Sequence, residues 1–307
     1  MTAAGDTALI ALDWGTTSAR AYRMRRDGAL IDQRHAALGV QHVRPGEFAQ
    51  ALGALLGDWS ALPVPRLACG MIGSRQGWIE APYSRCPVAL QALAAATVRT
   101  PEGEVAIVGG LTCVDDTGVP DVLRGEETQV AGLPDDALDA ALVIQPGTHS
   151  KWTAVANHAI AGFSTYMTGE LYAVLREHSI LGRLLAKGLF DDAAFARGVD
   201  AGLQAPAGAL PHQLFAARTL ALFDALTPAG AGDYLSGLLI GHEIAHGRAW
   251  AARHASAAAS TWLVGDDALC DRYARALAQA GVATRRGPAD AAARGLWRLA
   301  RLSGMVV

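Results

Sequence analysis

Two segments of this chain, 132 residues apart, repeat one succession of elements, and that repeat constrains the fold more than any other feature. Ala8-Leu9-Ile10-Ala11-Leu12 is a continuous apolar run that ends at Asp13-Trp14-Gly15-Thr16-Thr17-Ser18. A roughly alternating run from Ala19 to Met24 follows, then the hairpin signal Asp27-Gly28 and a third run from Ala29. In the second copy Ala141-Leu142-Val143-Ile144 leads into Gln145-Pro146-Gly147-Thr148-His149-Ser150. Lys151 to Ala156, an Asn157-His158 turn and Ala159 to Thr165 complete it, with a helix expected from Thr168 to His178. Gly15, Thr16 and Ser18 fall on Gly147, Thr148 and Ser150. Matching letters are few, so the shared order of elements carries the inference of a duplication.

Other elements fit an α/β chain. A helix is expected around Phe48 to Trp59, with strands at Leu67 to Gly70 and Val105 to Val108. Thr112 to Arg124, rich in Asp, Gly and Pro, reads as a long connection. Thr261 to Val264 reads as a strand, Gly265-Asp266-Asp267 as a turn and Ala268 to Ala280 as a helix. The last segment, Ala289 to Leu302, has the spacing of an amphipathic helix.

At 307 residues the chain has room for two domains, and 51% hydrophobic residues give both a core. A net charge of −3 argues against a basic nucleic-acid footprint. No run approaches the ~20 apolar residues of a membrane span. Met1 to Asp13 lacks Lys and Arg, the wrong pattern for a signal peptide, and the four cysteines form no C-x-x-C pair. A soluble, cytoplasmic protein with no nucleic-acid or membrane partner is expected; the oligomeric state stays open. Of 26 basic residues only Lys151 and Lys187 are lysine.

Each Gly-Thr-x-Ser turn suits a phosphate. Glycine lets backbone N–H groups converge on an anion, and the hydroxyls add donors. One such turn is an ordinary hairpin connection; a pair, each ending an apolar strand, points to a polyphosphate. Neither a G-x-x-x-x-G-K-[ST] loop nor a G-x-G-x-x-G fingerprint is present. His242-Glu243-Ile244-Ala245-His246 pulls the other way, as a literal zinc-peptidase H-E-x-x-H. No Glu follows Glu243, and Ala249 and Ala252 stand where the longer motif needs Gly and His. Asp266 and Asp267 remain as third ligands, and both sit in the late strand–turn–helix junction. His242 and His246 therefore read as helical residues, with a zinc peptidase as the alternative from another class.

Asp13 to Arg20 resembles the first phosphate loop of the acetate and sugar kinase, chaperone ATPase and actin superfamily. Gln145 to Trp152 resembles its second phosphate loop and Leu263 to Asp267 its adenosine loop. Within it the chain is similar to the 2-dehydro-3-deoxygalactonokinases. The stretches that carry this are Gly70-Met71-Ile72-Gly73-Ser74-Arg75-Gln76-Gly77-Trp78, Pro120 through Arg124-Gly125-Glu126-Glu127-Thr128-Gln129, and Pro146-Gly147-Thr148-His149-Ser150-Lys151-Trp152.

The resemblance implies two ribonuclease H-like domains, 1–122 with 289–307 packing back on it and 123–288, and an interdomain cleft for ATP and Mg²⁺. It implies transfer of the ATP γ-phosphoryl to the 6-hydroxyl of 2-dehydro-3-deoxy-D-galactonate, a step in D-galactonate breakdown. Asp13 matches the Mg²⁺ position. Glu126 stands where the superfamily carries its base, usually an Asp; Glu127 and Asp121 are reserves. Gly15, Thr16, Thr17, Ser18, Gly147, Thr148, His149, Ser150, Lys151, Gly265 and Asp266 would hold the nucleotide. Arg75, with a fork that fits a carboxylate, would meet the sugar acid together with Gly73, Ser74, Trp14 and Trp78. A kinase of another sugar acid or amino sugar, or a nucleotide-dependent switch, are the other readings.

Overall fold

Continuous apolar runs become central strands, and alternating ones their antiparallel neighbours. The structure is a computed structural model describing residues 6–186 and 188–307, so Lys187 lies outside it. The chain runs β1 (Thr7–Trp14), β2 (Ala19–Arg25), β3 (Leu30–Ala36), α1 (Phe48–Leu56), β4 (Arg66–Cys69), β5 (Tyr83–Arg85), β6 (Val88–Ala89), α2 (Leu90–Ala95), β7 (Thr97–Arg99), β8 (Ala106–Val108), β9 (Gly110–Val114), β10 (Pro120–Leu123), α3 (Glu126–Ala131) and α4 (Asp135–Asp139). It continues as β11 (Ala140–Gln145), β12 (Ser150–Ala156), β13 (Ala159–Tyr166), α5 (Thr168–His178), α6 (Asp192–Leu203), α7 (Leu210–Leu214), α8 (Ala216–Leu222), α9 (Pro228–His254), β14 (Ser260–Leu263), α10 (Asp267–Gln279), β15 (Thr284–Arg286) and α11 (Ala291–Leu302).

One six-stranded sheet has the order β3-β2-β1-β4-β8-β7, the other β15-β14-β11-β12-β13-β6. In the first, β2 is antiparallel to β1 and β3, while β4 and β8 run parallel to β1. In the second, β14 and β15 run parallel to β11. Both sheets thus set three strands consecutive in the chain beside two parallel ones. The repeat in the sequence is a repeat of topology. Parallel neighbours and buried faces explain why β1 and β11 are apolar almost throughout.

By contacts the chain divides into two units. The first comprises the chain up to Ala140, Val155–Phe163 and Pro288–Val307; the second comprises Ala141–Ala154 and Ser164–Gly287. In the first, Ile10, Leu12, Trp14, Leu52, Trp59 and Ile107 belong to one core, and α11 packs on β1 and α3. In the second, Ile144, Trp152, Phe195, Ile244 and Leu277 share a core, and α6 lies along the 27-residue α9.

The expected connection from Thr112 to Arg124 is corrected. β9 and β10 pair antiparallel through this stretch, with Pro120 opposite Val114. Asp115 makes the turn between them, its Oδ1 accepting from the N–H groups of Thr117 (2.8 Å) and Val119 (2.9 Å). Pro120 is tolerated because β10 is an edge strand, where a missing N–H costs no ladder bond. The helix expected to reach Trp59 stops at Leu56 and passes into a 3₁₀ turn, Gly57–Ala61. Among the described residues no helix is long and apolar enough to cross a membrane.

Candidate active site

Asp13 lies near the end of β1, between Arg20 of β2 and Cys69 of β4. Its Oδ2 is 3.5 Å from Arg20 Nη1, and the Cys69 thiol approaches Oδ1 at 3.9 Å. Burial pushes the carboxyl above the usual range, and Arg20 only partly offsets this. A cation beside Asp13 would favour its charged form. Among the described residues no group of three His, Cys, Asp or Glu is placed to hold a metal alone. A cation at Asp13 would therefore draw its other ligands from water and phosphate.

After Asp13 the chain turns through Gly15, Thr16, Thr17 and Ser18, with the Gly15 N–H on the Ser18 carbonyl at 2.9 Å. The segment Gly39–His42 braces this turn. Val40 and Gln41 donate to the Gly15 and Thr16 carbonyls at 3.0 and 3.2 Å, and His42 Nδ1 lies 3.0 Å from the Thr17 carbonyl. Thr16 and Thr17 stay exposed. Trp14 does not wall a pocket: it is 1% exposed, donates to the Leu38 carbonyl at 2.6 Å and packs edge-on against Phe48. That gives it a core role in place of the expected substrate contact. Trp78, half-buried, stacks on the other side of the same cluster at 6.3 Å from Phe48.

Two glycines bring the rest of the first unit's site to Asp13. Gly70 (φ 90°) follows β4, and a Cβ there would lie 2.7 Å from the Trp14 carbonyl and 3.6 Å from Asp13 Oδ1. Gly125 (φ 109°) comes so close that its Cβ would lie 3.2 Å from Gly70 Cα. Both conformations favour glycine. The Asp13 turn, the Gly70–Ser74 segment and the Gly125-Glu126-Glu127 segment therefore converge. Glu126 is half-buried, its Oε2 accepting from the Arg124 N–H at 3.0 Å. Glu127 is wholly buried and accepts from the Gly125 N–H (2.6 Å) and the Thr128 hydroxyl (2.9 Å). Burial, and then the Glu126 charge, push its carboxyl up to about 7. Asp121 sits on β10. Gly73 and Ser74 lie in the converging segment, but Arg75 does not join it: its side chain is 88% exposed and reaches Glu80 at 3.4 Å.

In the second unit the turn Gly147–Ser150 is held by α5 and α9. The Glu170 N–H donates to the Thr148 carbonyl at 2.9 Å, and the Glu170 carboxylate meets His149 Nε2. Gly169 permits this, since a Cβ there would lie 2.3 Å from the Gly147 carbonyl oxygen. Thr148 and His149 are exposed. Ser150 is buried, its hydroxyl spent on Glu243 at 2.7 Å, so it does not offer the phosphate donor expected of it. Lys151 is buried too, its Nζ donating to the Thr165 hydroxyl at 2.8 Å. Gly265 (φ 142°) brings the turn after β14 against the Pro146 carbonyl, and Asp266 caps α10 by accepting from the Leu269 N–H at 3.1 Å.

Glu243 explains the H-E-x-x-H. Its carboxylate accepts from Ser150, Trp152 Nε1 (2.8 Å), Tyr273 (2.6 Å) and Thr168, tying the second turn to α5 and α10. His242 Nε2 is 2.6 Å from Gln213 Oε1, and His246 Nδ1 is 2.9 Å from the Tyr166 hydroxyl. Sequence reasoning missed this hub because the spacing of a zinc motif and of a buried acceptor look alike. It also missed the Gly39–His42 brace, for which the sequence holds no signal beyond a lone glycine.

Residues 13–299 match the 2-keto-3-deoxy-galactonokinase family. The "Probable 2-dehydro-3-deoxygalactonokinase" of Rhizobium meliloti (strain 1021) is 37% identical over 314 aligned residues, covering 97% of this chain and 100% of that protein. The 2-dehydro-3-deoxygalactonokinase of Escherichia coli (strain K12) is 35% identical, covering 89% and 90%. A crystal structure from Sinorhizobium meliloti, provisionally named for the same activity, superposes with a TM-score of 0.85 at 36% identity, covering 95% of this chain and 98% of that one. Component A of (R)-2-hydroxyglutaryl-CoA dehydratase from Acidaminococcus fermentans shares the fold alone, at a TM-score of 0.52 and 13% identity over 96% and 98% of the two chains. Paired three-strand repeats, a carboxylate-and-turn site after β1 and relatives matched over nearly their whole length agree, and on that agreement this chain belongs to the 2-keto-3-deoxy-galactonokinase family.

Proposed function

We propose that this protein transfers the γ-phosphoryl group of ATP to the 6-hydroxyl of 2-dehydro-3-deoxy-D-galactonate, a step of D-galactonate breakdown. One observation carries the reading beyond family membership: Asp13, the Gly70–Ser74 segment and Glu126 converge in the first unit. Phosphoryl transfer needs little covalent help from the protein. It needs positioned acceptor, nucleotide and compensating charge.

Glu126 is the base in this reading. It is half-buried, whereas Glu127 is wholly enclosed by its own segment and holds that segment's geometry. Glu126 accepts the O6 proton as the bond from O6 to phosphorus forms and the bond from phosphorus to the departing ADP oxygen breaks. A Glu in place of the superfamily's usual Asp puts the carboxylate one methylene further from the backbone. Its fixed hydrogen bond to the Arg124 N–H sets where that longer side chain points. Asp13 is the carboxylate that would hold Mg²⁺, directly or through water, and the ion would offset charge on the transferring phosphoryl. Within the first unit the exposed Thr16 and Thr17, with Gly15, offer phosphate contacts, and within the second unit Thr148 and His149, with Gly147, Gly265 and Asp266, offer nucleotide contacts.

The test is the initial rate of ADP release over a panel of 2-keto-3-deoxy sugar acids, neutral sugars and amino sugars. The expected result is low basal hydrolysis and strong stimulation by the galactonate-derived acid. Equal hydrolysis with and without every acceptor would favour a nucleotide switch instead.

A further inference from the structure

Arg124 is a buried cation whose hydrogen bonds are mostly unmade. It is 9% exposed, yet Nε and Nη1 have no partner. Only Nη2 donates, to the Ala81 carbonyl at 2.7 Å. Three of the guanidinium's five N–H bonds, one on Nε and two on Nη1, therefore lack an acceptor. Among the described residues no carboxylate forms an ion pair with the side chain. Unpaired donors on a buried charge are costly, and native structures keep them chiefly where something else supplies the acceptors.

The surroundings say what that something is. A Cβ at Gly73 would lie 3.0 Å from Arg124 Nη1, so glycine leaves that donor room. Ser74, the next residue, has a second buried and unpartnered polar atom, its Oγ. The Tyr83 ring lies 4.3 Å from the guanidinium carbon and is 42% exposed, so the guanidinium lies under a residue that itself faces solvent. Arg124 also precedes the Gly125-Glu126 segment and bonds Glu126 through its own N–H. A planar group with three adjacent acceptor oxygens matches three free N–H bonds and a hydroxyl. The carboxylate and 2-keto oxygens of a 2-keto acid are such a group.

We propose that Arg124, assisted by Ser74, binds the carboxylate-and-keto end of the acceptor and so makes the enzyme prefer an acid to a neutral sugar. This rests on the sugar-acid kinase reading above, and it moves the anchoring role from the exposed Arg75 to a buried arginine.

The experiment compares kcat/KM for 2-dehydro-3-deoxy-D-galactonate and for its C1 carboxamide, which keeps the shape but loses the charge. In Arg124→Gln the value for the acid should fall about 100-fold, mostly through KM, with the carboxamide and the KM for ATP little changed. Ser74→Ala removes an unpartnered hydroxyl, so it should keep its melting temperature and raise KM for the acid about tenfold. Should Arg124→Gln fail to fold, the Ser74→Ala result decides. Equal losses for acid and carboxamide in folded Arg124→Gln, or an unchanged acid KM in Ser74→Ala, would overturn the assignment. A wild-type enzyme that ignores the acid overturns the functional reading and this assignment with it. A wild type that prefers the acid while Arg124→Gln keeps the same preference overturns this assignment alone.

Discussion

Glu127 sits wholly buried with another carboxylate beside it in sequence, and the fold bears a pH-dependent cost for that. Its carboxyl is pushed up to about 7 from an ordinary 4.5. A raised folded-state value means the stabilising, protonated form is fully present below about pH 4.5 and is lost as pH rises through 7. The difference corresponds to roughly 3 kcal/mol above pH 7. Glu127→Gln, which mimics the protonated form, should therefore gain stability relative to wild type as pH goes from 5 to 8 in urea unfolding. Parallel stability curves would contradict this. Asp13 makes the complementary case, because burial raises its carboxyl as well. Asp13→Asn should lower kcat on the order of 10³-fold while melting no lower than wild type, since the change relieves a buried charge. An active variant, or a dead one that melts much lower, would remove Asp13 from the metal role. Both residues were legible in the sequence as acids at motif positions. Arg124 was not, because 24 arginines look alike until the structure shows Arg124 9% exposed and the Arg75 side chain 88% exposed.

At the scale of elements, strand identity was readable where apolar runs end at a glycine turn. β1, β2, β11, β12 and β13 lie within a residue or two of expectation, and α5 spans the expected Thr168–His178. β9 and β10 were not readable, because Asp115, Gly118 and Pro120 give the composition of a loop while a short side-chain-bonded turn lets two strands pair. The helices α6 to α8 went unread although α6 carries readable signals, an Asp191 cap and a buried face recurring at Ala194, Phe195, Gly198, Val199 and Gly202. How α5 grips the Gly147–Ser150 turn gives a direct check on the nucleotide role proposed for it. Gly169→Ala favours the helix by about 1 kcal/mol through propensity, but its Cβ would lie 2.3 Å from the Gly147 carbonyl and 2.9 Å from Thr148 Cα, both backbone obstacles. Repacking should win, costing about 1–3 kcal/mol in urea unfolding and raising KM for ATP about tenfold. A stabilised variant with unchanged KM would mean the turn does not hold the nucleotide.

On the scale of the whole chain, the repeated topology and the family match account for nearly every residue from 13 to 299. The duplication is legible in the amino-acid order alone because it resides in the succession of elements, which apolar patterning and glycine turns encode locally. Division of labour between the copies is not, because it depends on which polar atoms are already satisfied. Ser150 and Ser18 look equivalent in sequence, yet Ser150 is consumed by Glu243. A phosphoryl transfer with one chemical destination leaves its record in the product. Incubating the enzyme with ATP and 2-dehydro-3-deoxy-D-galactonate, and reading phosphorus–carbon coupling in the product by nuclear magnetic resonance, locates the ester. The expected outcome is a single phosphate ester at C6, formed in equal amount with ADP. An ester at another carbon, or ADP released without any ester, would contradict the account.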